Sequence, residues 1–426
     1  MPLKNILVLC IFLALSYLFF GLATDNGFWH SDDFVMLEKN LRTTENSLAV
    51  FDSTPPFRFQ PLATLIYYLL FKNFFFDARG YFIFNIILHG FNSFLVYLLV
   101  HTLLKDRMVA ILSGFLFVFT VGNYGKSVMI VSGFEDLLIT TLTILTMIFY
   151  FKNELDAEGK ILSPWFILAF ILFLASMFTQ GTSFAILGAF IAFDYFFRIE
   201  RGRPVASKNF LILLAIAIAS LIVKTRVFDY TPTFYSENPG PVRFILYAAK
   251  NVLNYLVRMI FPIHTSHLVT EAGPAVRFIY RFATQIRILI ALTVVSYSFF
   301  GFIFGNRAIR FFIAWTYIMV LPFAFFQFPF DWLNIRHLYL VSVGFVMILS
   351  SGAIYCSRLI SHQRWRRFVP LLVPVIFILS ARFVVTQLDQ SYEYKAASSI
   401  TVEYRKEIAR KFPNVIIEGD DLRFVE

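Results

Sequence analysis

The sequence predicts an all-α polytopic membrane protein with about 11 transmembrane helices, and three observations carry that prediction. Of 426 residues, 58% are apolar and 19% aromatic, 55 of them Phe, while 15% are charged; an ordinary soluble domain carries about 25% charged residues. So few charges cannot coat a water-facing surface, which excludes a soluble globular enzyme, and so much apolar content excludes disorder. The apolar residues also gather in runs near the length that spans a bilayer. These runs are apolar all round, without the alternation of an outer-membrane barrel. Finally, Lys and Arg crowd every second connector, the positive-inside pattern.

Eleven runs are read as spans: 4–23, 80–104, 107–122, 134–151, 164–178, 182–198, 209–227, 286–305, 309–327, 337–357 and 368–387. The first run imitates a signal peptide after Lys4, but no small-x-small cleavage site precedes Asp25, so it is read as a helix. With the N-terminus inside, inner connectors hold Lys105 and Arg107, Arg198 to Lys208, Arg307 and Arg310, and Arg358 to Arg367, whereas the short outer ones hold only Lys126 and Arg336. This asymmetry accounts for the net charge of +10 without nucleic acid. Cys10 and Cys356 lie in apolar runs, so there is no disulfide framework.

The predicted organisation is a transmembrane domain over 1–387, with long outer loops at 24–79 and 228–285, followed by a short soluble C-terminal tail over 388–426. Within the loops, 61–76 and 243–261 are apolar but poor spans, the second because of Arg243, Lys250 and Arg258. Both read as amphipathic helices lying in the outer interface. The tail interleaves Glu403, Arg405, Lys406, Glu407, Arg410 and Lys411 and reads as helical.

Charged groups at bilayer depth are costly, so their placement is informative. Here they gather at the outer ends of the spans. His30-Ser31-Asp32-Asp33 places adjacent carboxylates in a Phe/Trp-rich segment, where one can stay ionised as a general base while its neighbour's pKa is raised. The competing reading is a helix N-cap. Arg58, two residues before Gln60-Pro61-Leu62, can grip a phosphate through two parallel hydrogen bonds or snorkel to lipid headgroups. Glu135 and Asp136 open the fourth span, where the helix dipole already favours an acid. Thr179-Gln180 forms a polar turn between spans, and Arg336-His337-Leu-Tyr339 enters the tenth span as a candidate anion clamp. His89 and Asn92, one turn apart, read as hydrogen-bonding partners of neighbouring helices. His264 and His267 make a weak metal pair without a third ligand. Phosphate-loop, dinucleotide, HExxH and CxxC motifs do not occur.

The ordered set Asp32-Asp33, Asn40, Gln60-Pro61-Leu62, Gly80-Tyr81…Asn85…His89…Asn92…Leu95-Val-Tyr97, Ser132-Gly133-x-x-Asp136 and Arg336-x-Leu-Tyr-Leu-x-Ser-x-Gly-Phe345 resembles the GT-C superfamily of membrane glycosyltransferases. The similarity is closest to the membrane part of tetratricopeptide-containing O-mannosyltransferases and their bacterial relatives, and it covers roughly residues 1–350. That resemblance implies an inverting transferase using a polyprenyl-phosphate-linked sugar on the outer face, with a protein, lipid or glycan acceptor. Asp32 and Asp33 match the acid that orients the acceptor, Asp136 matches a second acidic site, and Arg336 matches an arginine at the donor phosphate. Around these, Glu135 is expected beside Asp136; Arg58, His337 and Tyr339 at the donor phosphate; and His30, Gln60 and Gln180 in secondary positions. No cofactor is certain; a divalent cation, if used, is expected at Asp33 and Asp136. The expected location is a bacterial inner membrane with the site facing the periplasm. The chain departs from relatives where Thr179-Gln180 replaces Lys-Glu and Ile335 replaces Glu, and it lacks tetratricopeptide repeats.

Two alternatives make different demands. A transporter or lipid flippase calls for acids deep within spans and internal symmetry, and neither is evident. An outer-face polysaccharide polymerase or ligase calls for a very large outer loop between late spans, whereas one of the two largest loops here is the first, acidic one.

Overall fold

The computed structural model describes residues 3–54, 57–120, 127–199, 206–227, 241–259, 281–324, 338–360, 371–382, 385, 396–419 and 421–425. Each of the eleven apolar runs contains a helix. In chain order these are α1 (Leu3–Phe20), α4 (Ala78–Leu104), α5 (Arg107–Phe119), α6 (Phe134–Asp156), α7 (Pro164–Met177), α8 (Ala185–Arg198), α9 (Lys208–Val227), α11 (Ala283–Phe304), α12 (Arg307–Ala324), α13 (Leu338–Leu359) and α14 (Leu371–Arg382). Among the described residues, seven helical segments are long and apolar enough to cross a membrane, and the chain is an all-α integral membrane protein. The helices built from the runs at 107–122, 164–178 and 368–387 are shorter apolar segments.

The two stretches read as interfacial are helices as well, α3 (Pro61–Phe74) and α10 (Pro241–Arg258). Pro61 occupies the first turn of α3, where its missing N–H leaves no hydrogen bond unmade. Between α1 and α3 lies α2 (Ser31–Glu45), a polar helix. Beyond the last span come α15 (Ser399–Lys411) and a hairpin of β1 (Val415–Glu418) and β2 (Asp421–Phe424), paired antiparallel with Val415 opposite Phe424. The tail therefore adds a two-stranded element to the expected helix.

Helix α4 is the hub of the bundle and packs on α1, α5, α6 and α3. A Cβ added at Gly90 would sit 2.9 Å from the backbone of Leu13, so this glycine sets how closely α4 approaches α1. Polar side chains stitch the interior together. Asn92 donates to the Leu137 carbonyl (2.8 Å) and to the Tyr339 hydroxyl (3.3 Å), and Thr141 donates to Asn92 Oδ1 (2.6 Å). His89 Nδ1 shares a 2.7 Å hydrogen bond with the same tyrosine hydroxyl. His89 and Asn92 thus tie α4 to α6 and α13, the role read for them in the sequence.

Candidate active site

The site is built on the first turns of two helices. Helix α2 is opened by a capping box. His30 Nδ1 accepts from the Asp32 N–H (3.3 Å), and Asp33 Oδ2 accepts from the His30 N–H (3.1 Å). His30 is therefore the N-cap, with Ser31 the first helical residue. Successive residues on a helix point about 100° apart, so the acidic pair divides. Asp33 turns inward and is fully buried, while Asp32 faces a cleft of about 190 Å³. Asp33 Oδ1 accepts a further hydrogen bond from the Ser132 N–H (2.7 Å). Burial raises its pKa, against the pull of His30 and the N–H groups of Ser132 and His30. Its oxygens thus hold main chain together, joining α2 to the turn before α6.

That turn is tight. A Cβ on Gly133 would fall 2.2 Å from the Ser127 carbonyl oxygen, so only glycine fits there. Trp29 Nε1 donates to the Met129 carbonyl (3.2 Å), and Asn85 donates to that of Ile130 (3.0 Å), fixing the turn from two sides. Helix α6 then begins at Phe134, and its acidic pair divides in the same way. Glu135 lines the cleft and accepts from Gln60 Nε2 (3.2 Å). Asp136 is buried and accepts from Gln180 Nε2 (3.1 Å). Gln60 and Gln180, expected in secondary positions, thus each contact one acid of this pair.

Positive charge comes from two residues. Arg58 is exposed and lines the cleft beside Gln60. Lys39 lies two helical turns after Asp32 on the same stripe of α2, is 2% exposed, and borders the cleft. Its Nζ donates to the carbonyls of Asp52 (3.0 Å) and Arg58 (2.9 Å), so it holds the segment that presents Arg58. Burial lowers its pKa to about 8, partly offset by Asp52 and Glu135. The fourth wall is Tyr404 of α15.

The structure therefore gathers Asp32, Arg58, Gln60 and Glu135 around one cleft, with Asp33 and Asp136 supporting it from behind. It does not bring Tyr339 there; that side chain is 1% exposed and its hydroxyl belongs to the interior network with His89. Arg336 and His337 lie outside the described residues, as do His264 and His267. Among the described residues no group of three or more His, Cys, Asp or Glu side chains is arranged to hold a metal ion. Asp33 is turned to main-chain N–H groups, and the acids that line the cleft are Asp32 and Glu135. Lys39 and Tyr404 were not anticipated. Lys39 carries a readable signal, its seven-residue spacing from Asp32 on one helix face; Tyr404 carries none, because it arrives by tertiary docking.

The sequence matches no family model and no curated protein. The fold, however, matches solved structures. An oligosaccharyltransferase from Archaeoglobus fulgidus in the apo form aligns with a TM-score of 0.57 at 12% identity, over 97% of this chain and 60% of that one. The archaeal oligosaccharyltransferase AglB from the same organism, in complex with an inhibitory peptide and a dolichol-phosphate, aligns at 0.55 and 14% identity, over 96% and 60%. ArnT from Cupriavidus metallidurans, bound to undecaprenyl phosphate, aligns at 0.55 and 9% identity, over 96% and 80%. The chain thus spans about 60% of the length of the two archaeal structures and shares the all-α membrane fold of all three.

Proposed function

We propose that this chain is a GT-C glycosyltransferase that moves a sugar from a polyprenyl-phosphate donor to an acceptor hydroxyl on the outer face of a bacterial inner membrane. One observation carries the reading. Two carboxylates, Asp32 and Glu135, and two cations, Lys39 and Arg58, from three separate stretches share a single cleft. The fold around that cleft is shared with solved proteins whose bound molecules include dolichol-phosphate and undecaprenyl phosphate.

The chemistry follows from the charges. The acceptor oxygen attacks the anomeric carbon, and its proton passes to the carboxylate of Asp32, with Glu135 beside it as orienter. The bond from that carbon to the phosphate oxygen breaks, and the electron pair leaves with the polyprenyl phosphate. Direct displacement inverts the anomeric configuration. Arg58 neutralises the charge gathering on the departing phosphate, and Lys39 holds the segment that presents Arg58. A divalent cation would be held by Asp32 and Glu135 and would supply further positive charge to the phosphate.

Incubating the purified protein with a panel of polyprenyl-phosphate sugars, with and without Mg²⁺ or Mn²⁺, tests the reading. Donor-dependent release of polyprenyl phosphate and a glycosylated acceptor are expected. Release from no donor, with any acceptor or cation, removes the proposal.

A further inference from the structure

We propose that Tyr404 is a specificity residue of this cleft, the aromatic wall against which a pyranose ring lies, so that the C-terminal helix and hairpin are part of the site. This inference rests on the glycosyl-transfer reading above. The chain beyond its last span returns to the cleft end of the bundle and is fastened there at three points. The Tyr404 and Phe34 rings stack nearly parallel, 5.9 Å apart at 7°. Lys411 Nζ donates to Glu38 of α2 (3.0 Å), with Glu407 at 2.7 Å on its other side. At the open end of the hairpin, Phe424 packs among Phe76 (5.0 Å), Phe75 (5.5 Å) and Phe71 (6.2 Å), at the end of α3.

These contacts hold α15 against α2 and the hairpin against the end of α3, so the position of Tyr404 is fixed by packing beside the cleft. The Phe34 ring lies parallel to the tyrosine ring, and Tyr404, half-buried, borders the cleft with Asp32 and Glu135. An apolar ring surface beside two carboxylates complements a pyranose, whose C–H face is apolar and whose edge carries hydroxyl donors. Phosphate and isoprenoid have no use for that pairing. The sugar is either the one on the lipid donor or a residue of a glycan acceptor.

The test uses the full chain with Tyr404→Ala and Tyr404→Phe. Equilibrium binding of a polyprenyl-phosphate hexose is compared with that of the same polyprenyl phosphate lacking sugar, and the KM for a glycan acceptor is measured alongside. Tyr404→Ala is expected to weaken binding of the sugar-bearing lipid about tenfold while sparing the sugar-free lipid, with Tyr404→Phe close to wild type. A rise of similar size in acceptor KM, with both lipids bound normally, supports the same wall with the sugar coming from the acceptor. Equal weakening of both lipids, or no effect on any of the three measurements, overturns the assignment. If the wild-type protein binds neither lipid, it is the glycosyl-transfer reading that fails.

Discussion

The two ends of α6 both gather acids, yet they do opposite things with them. At the cleft end, Glu135 faces open space together with Asp32. At the far end, about 28 Å away at 1.5 Å per residue, Glu154 is closed in on all sides. It forms an ion pair with Arg198 and accepts from Asn209 (2.7 Å). Beside it, Asp194 accepts from the Tyr150 hydroxyl (3.0 Å) and the Ser207 N–H (3.2 Å), so the starts and ends of α6, α8 and α9 are locked together. Polarity alone therefore does not mark chemistry. An acid closed in by its own fold is structural, while an acid that lines a cleft can meet a ligand.

The sharpest way to break that contrast is to neutralise the two ends separately. Asp32→Asn and Glu135→Gln are expected to reduce transfer by about 10²–10⁴-fold with no change in the thermal unfolding midpoint. Retention of activity within about threefold of wild type for both would move the chemistry elsewhere. Glu154→Ala is expected to do the reverse. Removing the Glu154 carboxylate from its ion pair with the largely buried Arg198 side chain costs about 3–5 kcal/mol of stability, read as a lower unfolding midpoint, whereas the KM of the surviving folded protein stays the same. A Glu154→Ala protein as stable as wild type would show that the far-end pair does not hold the bundle.

A smaller effect separates the two members of the first acidic pair. Asp33→Ala removes the acceptor for the His30 and Ser132 N–H groups, and an unmet buried donor costs about 1–3 kcal/mol. Destabilisation is expected, with transfer by the folded fraction reduced far less than in Asp32→Asn. If Asp33→Ala folds normally and is as inactive as Asp32→Asn, the division of the pair by helix geometry is wrong.

Much of this was legible in the sequence, because lipid imposes a simple rule: backbone polar groups must be satisfied within the element. Each apolar run therefore contains a helix, and errors are confined to ends, as at 182–198, where α8 begins only at Ala185 after a short 3-10 turn. Asp32, Arg58, Gln60 and Glu135 were recognisable because polar groups at one depth stand out against an apolar background. What was not legible is which of two adjacent acids turns inward, since that depends on the rotational setting of α2 and α6. In the sequence Tyr339 reads as part of a clamp with Arg336 and His337; in the structure its buried hydroxyl meets His89. The tail's contribution depends on a docking contact between Phe34 and Tyr404, residues 370 positions apart, which no local pattern records.

The smallest expected effect is in the pH profile, and it probes how Lys39 links the cleft to its support. Burial depresses the Lys39 pKa to about 8. The folded protein therefore carries the cation below that pH and loses it above, while the unfolded chain keeps its ammonium to a higher pH. Over the interval between the two values stability rises with pH, because the native state no longer holds a buried charge. Activity should move the other way. Neutral Lys39 retains a donor for the Asp52 and Arg58 carbonyls only more weakly, and the positive charge near Glu135 disappears, so transfer should fall a few-fold through an apparent pKa near 8. Lys39→Arg keeps a charge that does not titrate in this range, so that limb should vanish from its profile even if the maximal rate is lower. Persistence of the same limb in Lys39→Arg would assign it to another group and leave Lys39 as a staple whose charge is incidental.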